Sequence, residues 1–504
     1  MATFYIQQFG CRATQADGAA IERQLLDRGC TAVSESASAD VVVVNTCTVT
    51  ASADAQARDA IRKLHAANPA ARVIVTGCYA QRAPEELAAL PGVSWVVGNS
   101  HKPQIPDLLQ TLSSHPSTSA SDGVFPAAAL EVDPMSLLRA PAKILTGDIF
   151  EQNVLLSAPV LGGEGNHTRP TLKIQDGCDS RCSYCVIPFV RGKSRSLPPD
   201  TVIHEIQRLT VGQTFLSVPS PPQTSQTFLS VQSQPSLGSS PAREVVLSGI
   251  NLGTYGRDLS PRVEFETLLR RILDETFVER LRISSIEPLD VTQDLVELFA
   301  TTDRIAQHFH IPLQSGSDRI LAAMHRWYRA EHYARRVELI RERLPHAAIG
   351  ADVITGFPGE TEAEHAATLA FIKRLLFTYL HVFSFSERPG TKAAALSNEV
   401  PGAVIKRRAR ELRALSEAKA AAFRRSQFGR TLRVLTLRRD ISSEGPADDT
   451  TPALSSNYLN VRLRGIFPAN LWLNCYVSGE VGSYLVGDSE SVLCADSAHS
   501  ASLR

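Results

Sequence analysis

Three of the chain's nine cysteines, Cys178, Cys182 and Cys185, fall in the spacing C-x3-C-x2-C. Three thiolates on one tight loop suit a 4Fe–4S cube, which takes one thiolate per iron and is left with one open iron. An open metal position can take a small chelating ligand directly, as open zinc sites do. A structural zinc loop fits less well. Zinc wants a fourth nearby Cys or His, usually from a second C-x2-C pair, and the sequence has no such pair.

Three more cysteines are scattered but share a setting: Cys11 in Phe9-Gly10-Cys11-Arg12, Cys47 in Asn45-Thr46-Cys47, and Cys78 in Thr76-Gly77-Cys78. Each follows closely after a predicted strand. Apolar runs at 4–9, 41–44, 73–75 and 93–97 alternate with helical patterns at 17–28, 52–67 and 84–90. That alternation predicts an open parallel α/β sheet. In such sheets the carboxyl ends of the strands form the ligand crevice, so thiols distant in sequence can converge there. A lone buried cysteine is usually a small core residue. Three at strand ends, two of them preceded by Gly, point instead to a second cluster. Cys30, Cys475 and Cys494 fit no ligand set and read as ordinary thiols.

A strand predicted at 172–174 leads into the C-x3-C-x2-C loop, and further strands are predicted at 244–248, 281–285, 308–311, 349–354 and 379–383, with helices between them. About six such units predict a partial parallel (β/α)6 barrel whose strand-end loops form the active face. Those loops hold Gly249, Asn251, Ser285, Glu287 and Gln314. Each is either a cofactor contact or a plain turn or cap residue.

The loop Gly177-Cys178-Asp179-Ser180-Arg181-Cys182-Ser183-Tyr184-Cys185 resembles the signature of the radical S-adenosylmethionine enzymes. The resemblance implies that the amino and carboxyl groups of S-adenosylmethionine chelate the open iron, and that cleavage yields a 5′-deoxyadenosyl radical. It places Tyr184 near the adenine and the Gly249–Asn251 turn near the methionine end, with Ser285, Glu287 and Gln314 within reach of the ribose or methionyl groups. With Phe9-Gly10-Cys11-Arg12, Asn45-Thr46-Cys47-Thr48-Val49-Thr50 and Gly77-Cys78-Tyr79-Ala80-Gln81, the whole resembles the radical S-adenosylmethionine methylthiotransferases. That family implies an auxiliary 4Fe–4S cluster on Cys11, Cys47 and Cys78 that carries the sulfur to be inserted, making two 4Fe–4S clusters in all. Asn45 to Thr50, Lys173 to Cys178 and Gly249 to Gly253 look most like the subgroup acting on N6-threonylcarbamoyladenosine. The implied reaction is methylthiolation at C2 of that nucleoside, next to the anticodon. The isopentenyladenosine reaction and a non-catalytic iron–sulfur RNA-binding role are the alternatives. Implied partners are the tRNA anticodon stem-loop, an electron donor such as a flavodoxin or ferredoxin, and a sulfur donor.

At 504 residues the chain is too long for one core. Residues 1–110 are expected to form the N-terminal domain and 111–163 a low-complexity linker. The radical core is expected at 164–400, with a low-complexity insertion at 211–242 that repeats Gln213 to Val218 as Gln226 to Val231. A basic helix is expected at 401–426 and a small antiparallel β-barrel, resembling the family's RNA-binding domain, at 427–495. Formal net charge is zero, so nucleic acid must be met by a local patch. From Lys406 to Asp440 twelve Lys or Arg stand against three Asp or Glu, which supplies one. No apolar run is long enough to span a bilayer, no signal peptide is apparent, and the odd cysteine number argues for reduced thiols. The expected setting is cytoplasmic, with no membrane partner.

Overall fold

The computed structural model describes residues 2–113, 142–160, 168–211, 241–439 and 449–492. Most of the linker expected at 111–163, nearly all of the insertion at 211–242, and Cys494 lie outside these residues.

Strands β1 (Thr3–Gln8), β2 (Thr31–Ala32), β3 (Val41–Thr46), β4 (Arg72–Gly77), β5 (Val93–Gly98) and β6 (Lys143–Leu145) form one parallel sheet in the order β2-β1-β3-β4-β5-β6. The apolar run Val41 to Val44 is buried throughout because both faces of β3 are covered. Val42 and Val44 pack with Ala57, Ile61 and Leu87 on one face. Val41 and Val43 pack with Ile21, Leu25 and Ile105 on the other. Cys30 joins that second core, as an ordinary thiol should. Strand β6 corrects the expected linker: part of it adds an edge to the sheet, where Trp95 faces Lys143.

The middle region carries β7 (Thr171–Lys173), β8 (Gln175–Asp176), β9 (Arg195–Ser196), β10 (Glu244–Ser248), β11 (Arg280–Ile283), β12 (His308–His310), β13 (Ala348–Thr355) and β14 (Tyr379–Ser384). β8 and β9 pair as a short antiparallel ribbon. The other six run parallel as two sheets, β11-β10-β7 and β12-β13-β14, joined where Leu281 bridges Ile305. One apolar core, including Leu172, Val245, Leu281, Phe309 and Ile349, runs through both halves. The partial parallel barrel is thus built as two three-stranded arcs.

After the helix Gly402–Arg425 the chain closes a five-stranded barrel. Its strands are β15 (Thr431–Thr436), β16 (Thr450–Ser455), β17 (Asn460–Arg464), β18 (Trp472–Val481) and β19 (Tyr484–Val492), ordered β15-β16-β17-β19-β18. An all-antiparallel barrel was the expectation. Four pairs obey it, but β17 and β19 are parallel, which is how the barrel closes. Cys475 is fully buried in the barrel core. The barrel docks through buried Arg280 and Arg282, which share Glu244 and donate to the carbonyls of Leu454 and Ser455. The basic segment is partly consumed by internal pairing: Arg408 is buried against Glu360 at 2.8 Å, and Arg424 and Arg425 both meet Glu480. Lys406, Arg410 and Arg413 remain exposed. Among the described residues no helix is long and apolar enough to cross a membrane.

Candidate active site

Strands β1, β3 and β4 are neighbours, and their register places Gln8 opposite Asn45 and Thr46 opposite Gly77. The chain therefore leaves the sheet three times along one edge, and each exit carries a cysteine. Cys11 caps the helix Arg12–Asp27, Cys47 follows β3 directly, and Cys78 opens the helix Cys78–Arg82. Cys47 and Cys78 are buried while Cys11 is exposed. Gly10 makes the approach possible: its φ is +99°, and a Cβ there would lie 2.5 Å from the Cβ of Cys47 and 2.9 Å from its Sγ. Burial, then the Cys78 thiol, pushes the Cys47 thiol up to about 12. A thiol so placed stays protonated at neutral pH unless a cation binds it. The Asn99 amide donates to Cys78 Sγ at 3.6 Å, and Thr14 Oγ1 lies 3.6 Å from Cys11 Sγ.

The second cysteine loop follows the β8–β9 ribbon's first strand. Cys178 N donates to Gly192 O at 3.1 Å, and Cys185 N to Cys182 O at 3.1 Å. All three thiols are half-buried. Burial, then Cys182, pushes Cys185 up to about 12, and burial also raises Cys178. Ser183 fixes the loop from the far side, its hydroxyl donating to Ala323 O at 2.8 Å. Tyr184 packs against the cluster of Ile320, Met324, Phe357 and Ala393.

One residue here escaped sequence reasoning. Arg326 donates to Cys182 Sγ at 3.3 Å, pairs with Glu287, and lies 5.0 Å from the centre of the Tyr328 ring. No motif or spacing flags it, because it reaches the loop only through the tertiary fold. Glu287 is thereby drawn to the thiols, while burial holds its carboxyl above the ordinary range despite Arg326.

Gly249 and Asn251 form a turn against the base of the loop. A Cβ on Gly249 would lie 2.9 Å from Gln175 Oε1, the same atom that accepts the Asn251 N–H at 2.8 Å. Gln175 Nε2 in turn donates to Gly177 O at 2.8 Å. Asn251 Oδ1 is buried with no partner, an acceptor left over for a ligand's donor. An orphaned acceptor on a turn tied through Gln175 to the base of the cysteine loop fits a chelating amino-acid cofactor. Ser285 is half-buried just beyond β11. Gln314, beyond β12, takes a left-handed φ of 66°, and its backbone is tied to β13 rather than to the cysteine loop, its N–H donating to Asp352 O at 2.8 Å and its carbonyl accepting from Ile354 N at 2.9 Å.

The two cysteine sites meet across one seam. Val186 and Val190, just past Cys185, pack on Cys78. Arg191 joins Asp176, before the loop, to Asp17 on the Arg12–Asp27 helix, at 2.9 and 3.1 Å. Lys102 and Lys173 complete this buried network around Asp17. Burial alone would raise the Asp17 carboxyl, but the three surrounding cations prevail and lower it to about 2. Elsewhere on the seam Arg388 pairs with Asp54 at 2.7 Å, and Ala51 N donates to Ser386 Oγ at 3.0 Å.

Comparison with known proteins agrees with this layout. Residues 3–98 match an uncharacterized protein family, UPF0004, and residues 172–372 match the radical SAM superfamily. The chain is 34% identical to the threonylcarbamoyladenosine tRNA methylthiotransferase MtaB of Aquifex aeolicus, over 91% of this chain and 96% of that protein. It is 33% identical to the tRNA-2-methylthio-N(6)-dimethylallyladenosine synthase of Syntrophobacter fumaroxidans, over 82% of this chain and 79% of that protein. The fold is shared with the radical S-adenosylmethionine methyltransferase TsrM of Kitasatospora setae, with a TM-score of 0.52 at 15% identity, covering 78% of this chain and 77% of that one. Two matched regions in this order, and relatives aligned over nearly the full length, show that the chain belongs to the radical S-adenosylmethionine methylthiotransferase family.

Proposed function

We propose that this chain inserts a methylthio group at C2 of N6-threonylcarbamoyladenosine next to the anticodon of tRNA. The observation that carries the reading is the pairing of two cysteine triads across one seam, one at the ends of three adjacent strands and the other on a single loop. The identity to threonylcarbamoyladenosine tRNA methylthiotransferases supports the choice of nucleoside. When bound, a 4Fe–4S cluster and S-adenosylmethionine supply one-electron chemistry strong enough to attack an unactivated carbon–hydrogen bond.

The chain's own residues then position and tune. Cys178, Cys182 and Cys185 hold one cluster and Cys11, Cys47 and Cys78 the other. Tyr184, packed on Ile320 and Met324, would flank the cofactor's adenine, and the unpartnered Asn251 Oδ1 would accept from its amino group. Gly249 keeps that turn clear of bulk, while Ser285, Glu287 and Gln314 line the mouth of the barrel. Arg326 orients Cys182 and screens Glu287. Exposed Lys406, Arg410 and Arg413 offer phosphate contacts to RNA. The reaction also requires a one-electron donor such as a flavodoxin or ferredoxin, a sulfur donor, and a cytoplasmic setting where tRNA is met.

Nucleoside analysis of tRNA from a deletion strain tests the reading. The methylthio-threonylcarbamoyl nucleoside should vanish. Loss of only the methylthio-isopentenyl nucleoside would sink it.

A further inference from the structure

Inside the barrel, three strands contribute one polar layer. His310 on β12, Asp352 on β13 and His381 on β14 bring their ligand atoms within 4.8 Å of one another. Asp352 stands opposite His381 in the register, and the His310 Nε2–Asp352 Oδ1 distance is 2.9 Å. The His310 and His381 rings are 5.3 Å apart.

The layer beneath is closed. His308 and Tyr379, two residues back on the same strands, meet at 2.8 Å, and Tyr458 of the C-terminal barrel stacks on His308 at 4.2 Å. The upper layer is open: His310 and Asp352 are half-exposed and His381 is exposed. A polar floor facing an open barrel, below the face that carries Cys178 to Cys185, is placed to hold part of a substrate.

The surrounding charge decides what kind. Asp352 is already engaged by His310. The Arg12 guanidinium, next to Cys11, is near enough to depress the His381 imidazole, after burial and His310. It acts likewise on His308 and Tyr379. A divalent cation on the His310–Asp352–His381 trio would sit in the field of that guanidinium. An anion would be drawn by it and would find the His381 imidazole N–H as a donor at the floor.

We propose that His381, held beside the His310–Asp352 pair, forms a subsite for the carboxylate of the N6-substituent on the target adenosine. This rests on the reading above: a threonylcarbamoyl group carries a carboxylate, and an isopentenyl group has no polar atom to offer. The subsite would therefore select between the two nucleosides by charge. Covering these polar groups with an apolar substituent that offers them no partner is the basis of rejection.

The test compares binding and conversion of anticodon stem-loop RNAs carrying threonylcarbamoyladenosine, isopentenyladenosine or plain adenosine by the reconstituted full chain. Wild type should bind the threonylcarbamoyl loop about tenfold or more tighter than the plain loop, as a charged hydrogen bond provides. His381→Phe and His310→Phe should each cut that preference several-fold, with affinity for the plain loop unmoved. Preference retained in both variants, while wild type still converts the threonylcarbamoyl loop, overturns the subsite alone. Conversion of only the isopentenyl loop by wild type overturns the function reading and the subsite with it. Metal analysis supplies the last arm. One zinc or manganese per chain, beyond iron, that disappears in His381→Phe would make the trio a metal site and overturn the proposal.

Discussion

Cys178, Cys182 and Cys185 sit on one loop whose own backbone bonds hold it, whereas Cys11, Cys47 and Cys78 meet only because β1, β3 and β4 are neighbours in register. The first triad is local and half-exposed; the second is assembled by a sheet and two of its thiols are buried. The difference teaches where each site is vulnerable. A loop site depends on a few turns and one docking residue. A strand-end site depends on the pairing of a whole sheet, since a slip of one residue in a strand turns its side chains to the other face.

The largest expected effect tests whether the sites are chemically separable. Cys182→Ala should abolish release of 5′-deoxyadenosine from S-adenosylmethionine and dithionite, and lower iron from about eight to about four per chain. Cys47→Ala should lower iron by the same amount and abolish methylthiolated product, yet leave 5′-deoxyadenosine release measurable. Equal loss of that release in both variants would break the distinction drawn between the two triads.

A smaller effect probes the seam. Asp17 is surrounded by Lys102, Lys173 and Arg191, so Asp17→Asn leaves buried cations short of a partner. Breaking such a network costs about 3 kcal/mol or more, readable as a lower urea midpoint at neutral pH. The carboxyl is held near 2 against an ordinary 3.8, so its contribution is present above 3.8 and is lost as pH falls towards 2. Between pH 5 and pH 3, cluster-free wild type should lose more stability than cluster-free Asp17→Asn. An identical acid response would show that Asp17 does not link the two sites.

Legibility in the sequence follows the same contrast. The loop triad is readable from spacing alone, because a tight loop keeps its chemistry contiguous. The strand-end triad needed a further inference, from apolar runs to strands and from strand ends to a crevice, and the register of β1, β3 and β4 shows the convergence directly. The partial barrel was readable from its six apolar runs, but its division into two arcs was not. The parallel β17–β19 closure and the edge strand β6 were also missed, since short runs such as Lys143–Leu145 carry too little periodicity to announce a partner. The basic stretch misled in degree. Sequence counts charges, but only packing shows that Arg408 is spent on Glu360. Arg326 and the His310–Asp352–His381 layer left no local signal at all.

Arg326 gives the finest test of the contrast. Its guanidinium donates to Cys182 Sγ and otherwise meets Glu287 and Tyr328, all in the half of the molecule that carries the loop triad. Hydrogen bonds to cluster sulfur raise reduction potential, so Arg326→Gln should lower the potential of the loop cluster. A charged hydrogen bond of about 1.4 kcal/mol corresponds to about 60 mV for a one-electron couple. The strand-end cluster should keep its midpoint in the same potentiometric titration followed by electron paramagnetic resonance. The same variant leaves Glu287 without its cation, and burial then favours the protonated acid still more. The positive charge at Cys182 is thus removed together with the counter-charge at Glu287, which sets the shift in the tens of millivolts rather than the hundreds. A matched shift at both clusters would mean that the seam joins them into one electrostatic unit, and that Arg326 acts on the pair.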